Sequence, residues 1–190
     1  MKKTVVAAMA LVALGSAGIS QAAEDPKALA GEAKGIVKAF MKELKGTLVP
    51  TMKEKGPAAA IDVCHKKAQE ITAKYNKDGW KVGRTALKLR NPKNAPDAWE
   101  KATMEMFEKK IAEGADPKKL AKFEIVEQEG RKVFRFMKAI PVGKPCLTCH
   151  GGKVDPALYE KIKSYYPEDK AIGFKPGQLR GAFTLSKPLN

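Results

Sequence analysis

The stretch Val133-Phe134-Arg135-Phe136-Met137-Lys138-Ala139-Ile140-Pro141-Val142-Gly143-Lys144-Pro145-Cys146-Leu147-Thr148-Cys149-His150 joins a strand to a chemical motif. Val133 to Ile140 reads as extended chain, with Phe134 and Phe136 on one face because side chains alternate along a strand. Pro141 to Pro145 leads straight into a C-x-x-C-H run, the attachment signature of a c-type haem. The spacing has a chemical reason. Two thiols one tight turn apart can reach the two vinyl groups on one porphyrin edge and become thioethers. The imidazole that follows can swing under the ring and bind the iron. A redox dithiol or half of a zinc site also uses C-x-x-C. A zinc site needs a second ligand pair, and the only other Cys and His are the neighbours Cys64 and His65. A thioredoxin-like dithiol belongs at an early strand-to-helix step, which this late position does not offer. The expectation is one covalently attached haem c, held through Cys146 and Cys149, with His150 on the iron.

Working outward from the motif, Ala121 to Val126 reads as a strand joined to Val133–Ile140 by the turn Glu127-Gln128-Glu129-Gly130. Downstream, a short helix is expected near Pro156 to Tyr165 and a last strand from Gly181 to Leu185. Upstream, Asp97 suits the cap of a helix from Ala98 to about Glu113, which carries Trp99, Met104, Phe107 and Ile111. Asn91 to Pro96 is a turn-rich loop, and Trp80 to Leu89 is strand-like. At the N-terminal end, Leu29, Ala33, Ile36, Val37, Phe40, Met41 and Leu44 repeat at three and four, which predicts a helix from Asp25 to about Leu48. Pro50 is expected to interrupt it, and a second helix runs from Pro57 to Tyr75, stopped by Asn76-Lys77-Asp78-Gly79. Hairpin pairing makes the sheet antiparallel, so the fold class is α+β, with N-terminal helices and a late haem motif. The common small cytochromes c are nearly all helical and carry the motif near their start, so this chain is not one of them.

Residues 1–22 read as a cleaved signal peptide. Lys2 and Lys3 are basic, Val5 to Ile19 is apolar and small, and Ser20-Gln21-Ala22 offers a cleavage site. Residues 23–190 then form a single domain. Export of a chain with a c-type motif implies a bacterial periplasm, with no membrane span once the signal is removed. The formal charge is +15, from 36 Lys and Arg against 21 Asp and Glu. In an exported protein this points away from nucleic acid and towards a solvated basic surface.

The residue opposite His150 on the iron decides the function. The candidates are Cys64, His65, Met41, Met52, Met104, Met106 and Met137. Ile61, Cys64, Ala68 and Ile71 share one helical face, which would turn Cys64 into the core, while His65 lies about 100° away. Cys64 also has no disulfide partner once Cys146 and Cys149 are consumed. Cys64, His65 and an inert core cysteine all remain open on these grounds.

Gly83-Arg84-Thr85-Ala86-Leu87-Lys88-Leu89-Arg90-Asn91-Pro92-Lys93-Asn94-Ala95-Pro96-Asp97-Ala98-Trp99-Glu100 resembles the signature of a bacterial haem-domain family once catalogued only as a domain of unknown function. Cys146 to Gly152, and the closing Tyr166-Pro167, Asp169, Ala171, Gly173 and Gly177 to Ala182, fit the same pattern. The resemblance implies a PAS-like fold around a single c-type haem, with the motif His and a Cys from an N-terminal helix as axial ligands. Cys64 matches that position, with His65 as the alternative. Family members often precede kinase or cyclase modules. None follows here, so signalling would pass through a separate periplasmic redox or signalling protein.

Two functions follow as expectations. One is redox or gas sensing, in which Cys64 leaves the iron and opens a site. The other is a low-potential electron carrier in which Cys64 stays bound. A peroxidase would need distal acid–base groups, and only His65 is left to supply one, so an enzyme is not expected. Arg84, Arg90 and Lys144 are candidate partners of the haem propionates or ordinary strand-edge charges. Trp80, Trp99, Phe134 and Phe136 read as packing around the core and haem pocket. A homodimer through the long first helix is left open.

Overall fold

The computed structural model describes residues 25–189. The signal-peptide reading of residues 1–22 lies outside them. The first element, α1 (Pro26–Asp62), begins where the Asp25 carboxylate accepts the Lys27 amide at 2.9 Å. Its helical path is broken at Gly56 (φ 81°, ψ 171°) and not at Pro50. A proline inside a helix removes one hydrogen bond, and α1 passes through Pro50 at that cost. The positive φ at position 56 suits glycine, which has no Cβ to strain. Pro57 then opens the second helical stretch, as its fixed φ favours.

A π-helical turn, Val63–Lys67, follows and leads into α2 (Ala68–Tyr75). The wider winding upsets the helical count made from sequence. Ile61, Ala68 and Ile71 are buried, but Cys64 is accessible to solvent and does not point into the core. π turns occur often at functional positions.

Four strands make one antiparallel sheet: β1 (Lys81–Thr85), β2 (Ala121–Gln128), β3 (Arg131–Pro141) and β4 (Leu179–Pro188), in the order β1-β4-β3-β2. The α+β class read from sequence is what the structure has. β1 is shorter than the expected Trp80–Leu89 because the chain bends after Thr85 towards the short 3-10 turn Pro92–Asn94. The β2–β3 hairpin turns at Glu129 (φ 53°) and Gly130 (φ 72°), a pair of left-handed residues that matches the right-handed strand twist.

Alternation on β3 divides two cores. Phe134 and Phe136 pack with Phe183 and Leu185 under Leu29, Ala33, Val37 and Phe40 of α1. Met137 and Ala139 pack with Met104 and Phe107 of α3 (Ala98–Ala112) on the other face. Phe40, Phe107, Phe134 and Phe136 are fully buried, each contributing about 1.5–3 kcal/mol of apolar transfer. At the end of β3 a register shift at Ile140/Pro141 turns the chain into the motif. The motif occupies a 3-10 turn (Lys144–Cys146) and one helical turn, α4 (Leu147–His150). Helix α5 (Pro156–Tyr165) packs Leu158 and Ile162 against Ile61, beside the π turn. Among the described residues no helix is long and apolar enough to cross a membrane.

Candidate functional site

The single turn of α4 sets Cys146 and Cys149 three residues apart, hence on one side of the turn. The Gly151 amide closes the turn on the Leu147 carbonyl at 2.9 Å. A Cβ at Gly151 would lie 2.5 Å from that carbonyl oxygen, so only glycine fits directly after His150. The Phe174 amide donates to the His150 carbonyl at 3.0 Å, tying the motif to the loop before β4.

His150 donates from Nδ1 to the Ala171 carbonyl at 2.7 Å. A carbonyl can only accept, so the proton sits on Nδ1 and the Nε2 lone pair stays free, the tautomer a metal ligand needs. Burial, then the cations Arg180 and Arg90, push the imidazole pKa down to about 2. The ring is therefore neutral at any physiological pH.

The loop carrying Ala171 is itself anchored. Arg90 pairs with Asp169 at 2.9 Å through Nη2 and 3.2 Å through Nε, and donates to the Cys149 carbonyl at 2.6 Å. Asp169 in turn accepts the Ala171 amide at 2.9 Å. Arg90 thus joins the loop after β1, the motif and the segment before β4.

Cys64 stands at the same place from the opposite end of the sequence. Its thiol reaches water, yet protein surrounds it closely enough that burial is the largest influence and raises its pKa. Both observations describe a thiol at a partly enclosed surface. Arg84, Arg90 and Arg180 act on it in the lowering sense, in that order. Cys149 is raised by burial too, and it feels both Cys64 and Cys146. The three cysteines therefore share one electrostatic neighbourhood.

His65 faces elsewhere. Its ring stacks on Tyr165 with centroids 4.4 Å apart, and its Nδ1 lies 3.2 Å from the Tyr166 hydroxyl. Tyr165 donates to Asp62 at 2.6 Å, which closes this side of the π turn.

Of the three basic candidates, Arg84 and Arg90 lie at the cluster, while Lys144 is exposed. Sequence reasoning gave no role to Arg180, Asp169 or Ala171. They stand 79 or more positions from Arg90 or Cys64, except where the motif itself is near, and no local spacing links them.

A two-cysteine turn, a histidine held in one tautomer and a third thiol in the same electrostatic neighbourhood, set at the end of an antiparallel sheet under a long helix, define the class of site. The chain belongs to the Tll0287-like family, whose model matches residues 16–188. It is similar to the solved crystal structure of the cyanobacterial heme-protein Tll0287, with 29% identity over 86% of this chain and 96% of that one, at a TM-score of 0.61. No curated protein matches it.

Proposed function

We propose that the chain is an exported haem protein, carrying one covalent haem c on Cys146 and Cys149, with His150 and Cys64 as axial ligands, and acting in redox or gas sensing in the periplasm. The observation that carries this reading is the pairing of a neutral, Nδ1-anchored His150 with Cys64 in one cluster, while His65 is engaged by Tyr165 and Tyr166. The residues present fit the group: two thiols on one turn, a free imidazole nitrogen, a third thiol in the same neighbourhood, and half-buried guanidinium groups nearby. Haem would supply a one-electron couple and an axial position that can exchange.

The protein's own residues divide the work. Cys146 and Cys149 fix the porphyrin edge. Ala171, through the carbonyl that accepts from His150, keeps the proximal ring in one orientation. Cys64 sits on a π turn and touches solvent, which suits a ligand that is released and recaptured. Export and the periplasmic address are supported by the basic and apolar pattern of residues 1–22.

The test is spectroscopic. A pyridine haemochrome of c type should form from one haem per chain. EPR of the ferric protein should give a low-spin histidine/thiolate signal that Cys64→Ala abolishes and His65→Phe leaves in place. A His/His signal that disappears in His65→Phe would overturn the Cys64 assignment. CO added to the reduced protein should displace Cys64 and move the Soret band. An unmoved band, identical in Cys64→Ala, would replace sensing by the electron-carrier role.

A further inference from the structure

Arg84 and Arg180 are the cations at this site that no acidic side chain among the described residues pairs with. The Arg84 guanidinium rests 5.6 Å from the centroid of the Phe40 ring, and burial holds its pKa below the ordinary arginine value. Arg180 lies 5.6 Å from the Phe174 ring centroid and donates from Nη1 to the Lys88 carbonyl at 3.3 Å. Its Nε is buried without a partner, and burial lowers its pKa to about 10. Arg90, by contrast, is paired with Asp169.

A partly buried cation without a carboxylate partner is costly, so a site that holds two points to a counter-charge from outside the chain. The charge at the cluster gives the number. Three guanidinium groups face one carboxylate, Asp169, which leaves two positive charges over. A porphyrin of the c type carries two propionate carboxylates. Guanidinium forks suit carboxylates in a way a lysine point charge does not. The placement agrees. Arg180 lies against the Phe174 ring, which meets the His150 ring edge-on at 6.3 Å between centroids, and Arg84 acts electrostatically on Cys64.

Resting on the haem reading above, we propose that Arg84 and Arg180 form the carboxylate clamp of the bound porphyrin, one for each propionate. Arg90 holds Asp169 and the Cys149 carbonyl instead, and Lys144 takes no part.

The experiment is resonance Raman spectroscopy of the propionate bending bands in the mature, haem-loaded protein. Arg84→Leu and Arg180→Leu should each shift a propionate band, and the double variant should shift both and lower the thermal midpoint. Arg84→Lys and Arg180→Lys should shift the bands by less, and Lys144→Gln should leave them where they are. Bands that stay fixed in the double variant, or that move in Lys144→Gln, overturn the clamp. Where a leucine variant fails to accumulate, the lysine variants carry the test: a shifted band supports the proposal and a fixed band overturns it. A wild-type chain that acquires no covalent porphyrin during maturation removes the haem reading itself, a result distinct from intact haem with unmoved bands.

Discussion

Two sets of arginines lie within this small fold, and they are finished differently. Arg135 sits on β3 between Phe134 and Phe136 and, by alternation, faces α3. It is only 7% exposed. Its Nη2 pairs with Asp97 at 2.7 Å and Glu100 at 3.3 Å, and its guanidinium lies 4.4 Å from the centroid of the Trp99 ring. Glu100 also accepts from Thr184 at 2.6 Å, which brings β4 into the circuit. Arg84 and Arg180 are half-buried, and among the described residues their side-chain contacts are two aromatic faces and one carbonyl. The α3 face supplies its cation with two carboxylates of its own, although the Arg135 Nε, like that of Arg180, is buried without a partner. The cluster at the other end of β3 is a charge set left open, next to the residues with ligand chemistry.

The largest expected effect lies on the closed side. Arg135→Met should lower stability in urea denaturation by about 3–5 kcal/mol, because it leaves the buried Glu100 carboxylate without its cation. A loss below about 1 kcal/mol would mean that the network is not structural, and the contrast between the two sets would collapse.

The two regions also differ in how far they could be read from sequence. Asp97, three residues before Glu100 and an apolar helical face, marks the start of α3, and the capping box is present. The alternation of Phe134 and Phe136 and the Glu129-Gly130 turn mark the hairpin for the same local reasons. The C-x-x-C-H spacing is equally local. Elsewhere the physics is not local. The helix break moves from Pro50 to Gly56 because a helix can pass through a proline, whereas a positive φ must fall where glycine allows it. The helical count at Cys64 fails at a π turn that no residue pattern announces. The insertion of β4 between β1 and β3 brings Arg180, Asp169 and Ala171 to the motif through a loop that leaves no periodic trace.

A second, smaller effect belongs to the backbone of the open side. Gly151→Ala places a Cβ 2.5 Å from the Leu147 carbonyl oxygen, so the turn holding Cys149 and His150 must shift. A stability loss of about 2 kcal/mol is expected, with a lower yield of attached haem. Gly152→Ala meets nothing within 4 Å and serves as its control. Equal behaviour of the two variants would show that the turn of the motif is not held to a fixed geometry.

Asp97→Asn touches the closed network at its exposed end. Burial works to raise the Asp97 pKa, but Arg135 and the Glu100 and Trp99 amides outweigh it and hold the carboxyl below its ordinary value. A depressed carboxylate stabilises the fold above its unfolded pKa of about 3.9, and that contribution is lost as pH falls through the lower folded value. Asparagine caps a helix as well as aspartate does, so the variant removes the charge and keeps the cap. With Asp97 half exposed, the loss at neutral pH should be about 0.5–1 kcal/mol. Wild type and variant should converge as pH falls through the lowered folded pKa of Asp97, below which both side chains are neutral. A difference that persists at pH 2 would assign the effect to the cap and not to the charge.

The smallest expected effect sharpens the contrast most. In the full chain prepared without haem attachment, Arg84→Met should leave urea stability unchanged within about 0.5 kcal/mol or raise it slightly. The substitution removes a desolvated cation that no carboxylate among the described residues pairs with, and the methionine keeps the apolar contact with Phe40. The same chemical change at Arg135 removes a cation that two carboxylates require. Opposite outcomes for one substitution type, in one sheet and one background, would separate a charge that serves the fold from a charge kept for a ligand. A comparable loss at both positions would show that Arg84 already has its counter-charge within the chain, and the open cluster would then be as structural as the closed one.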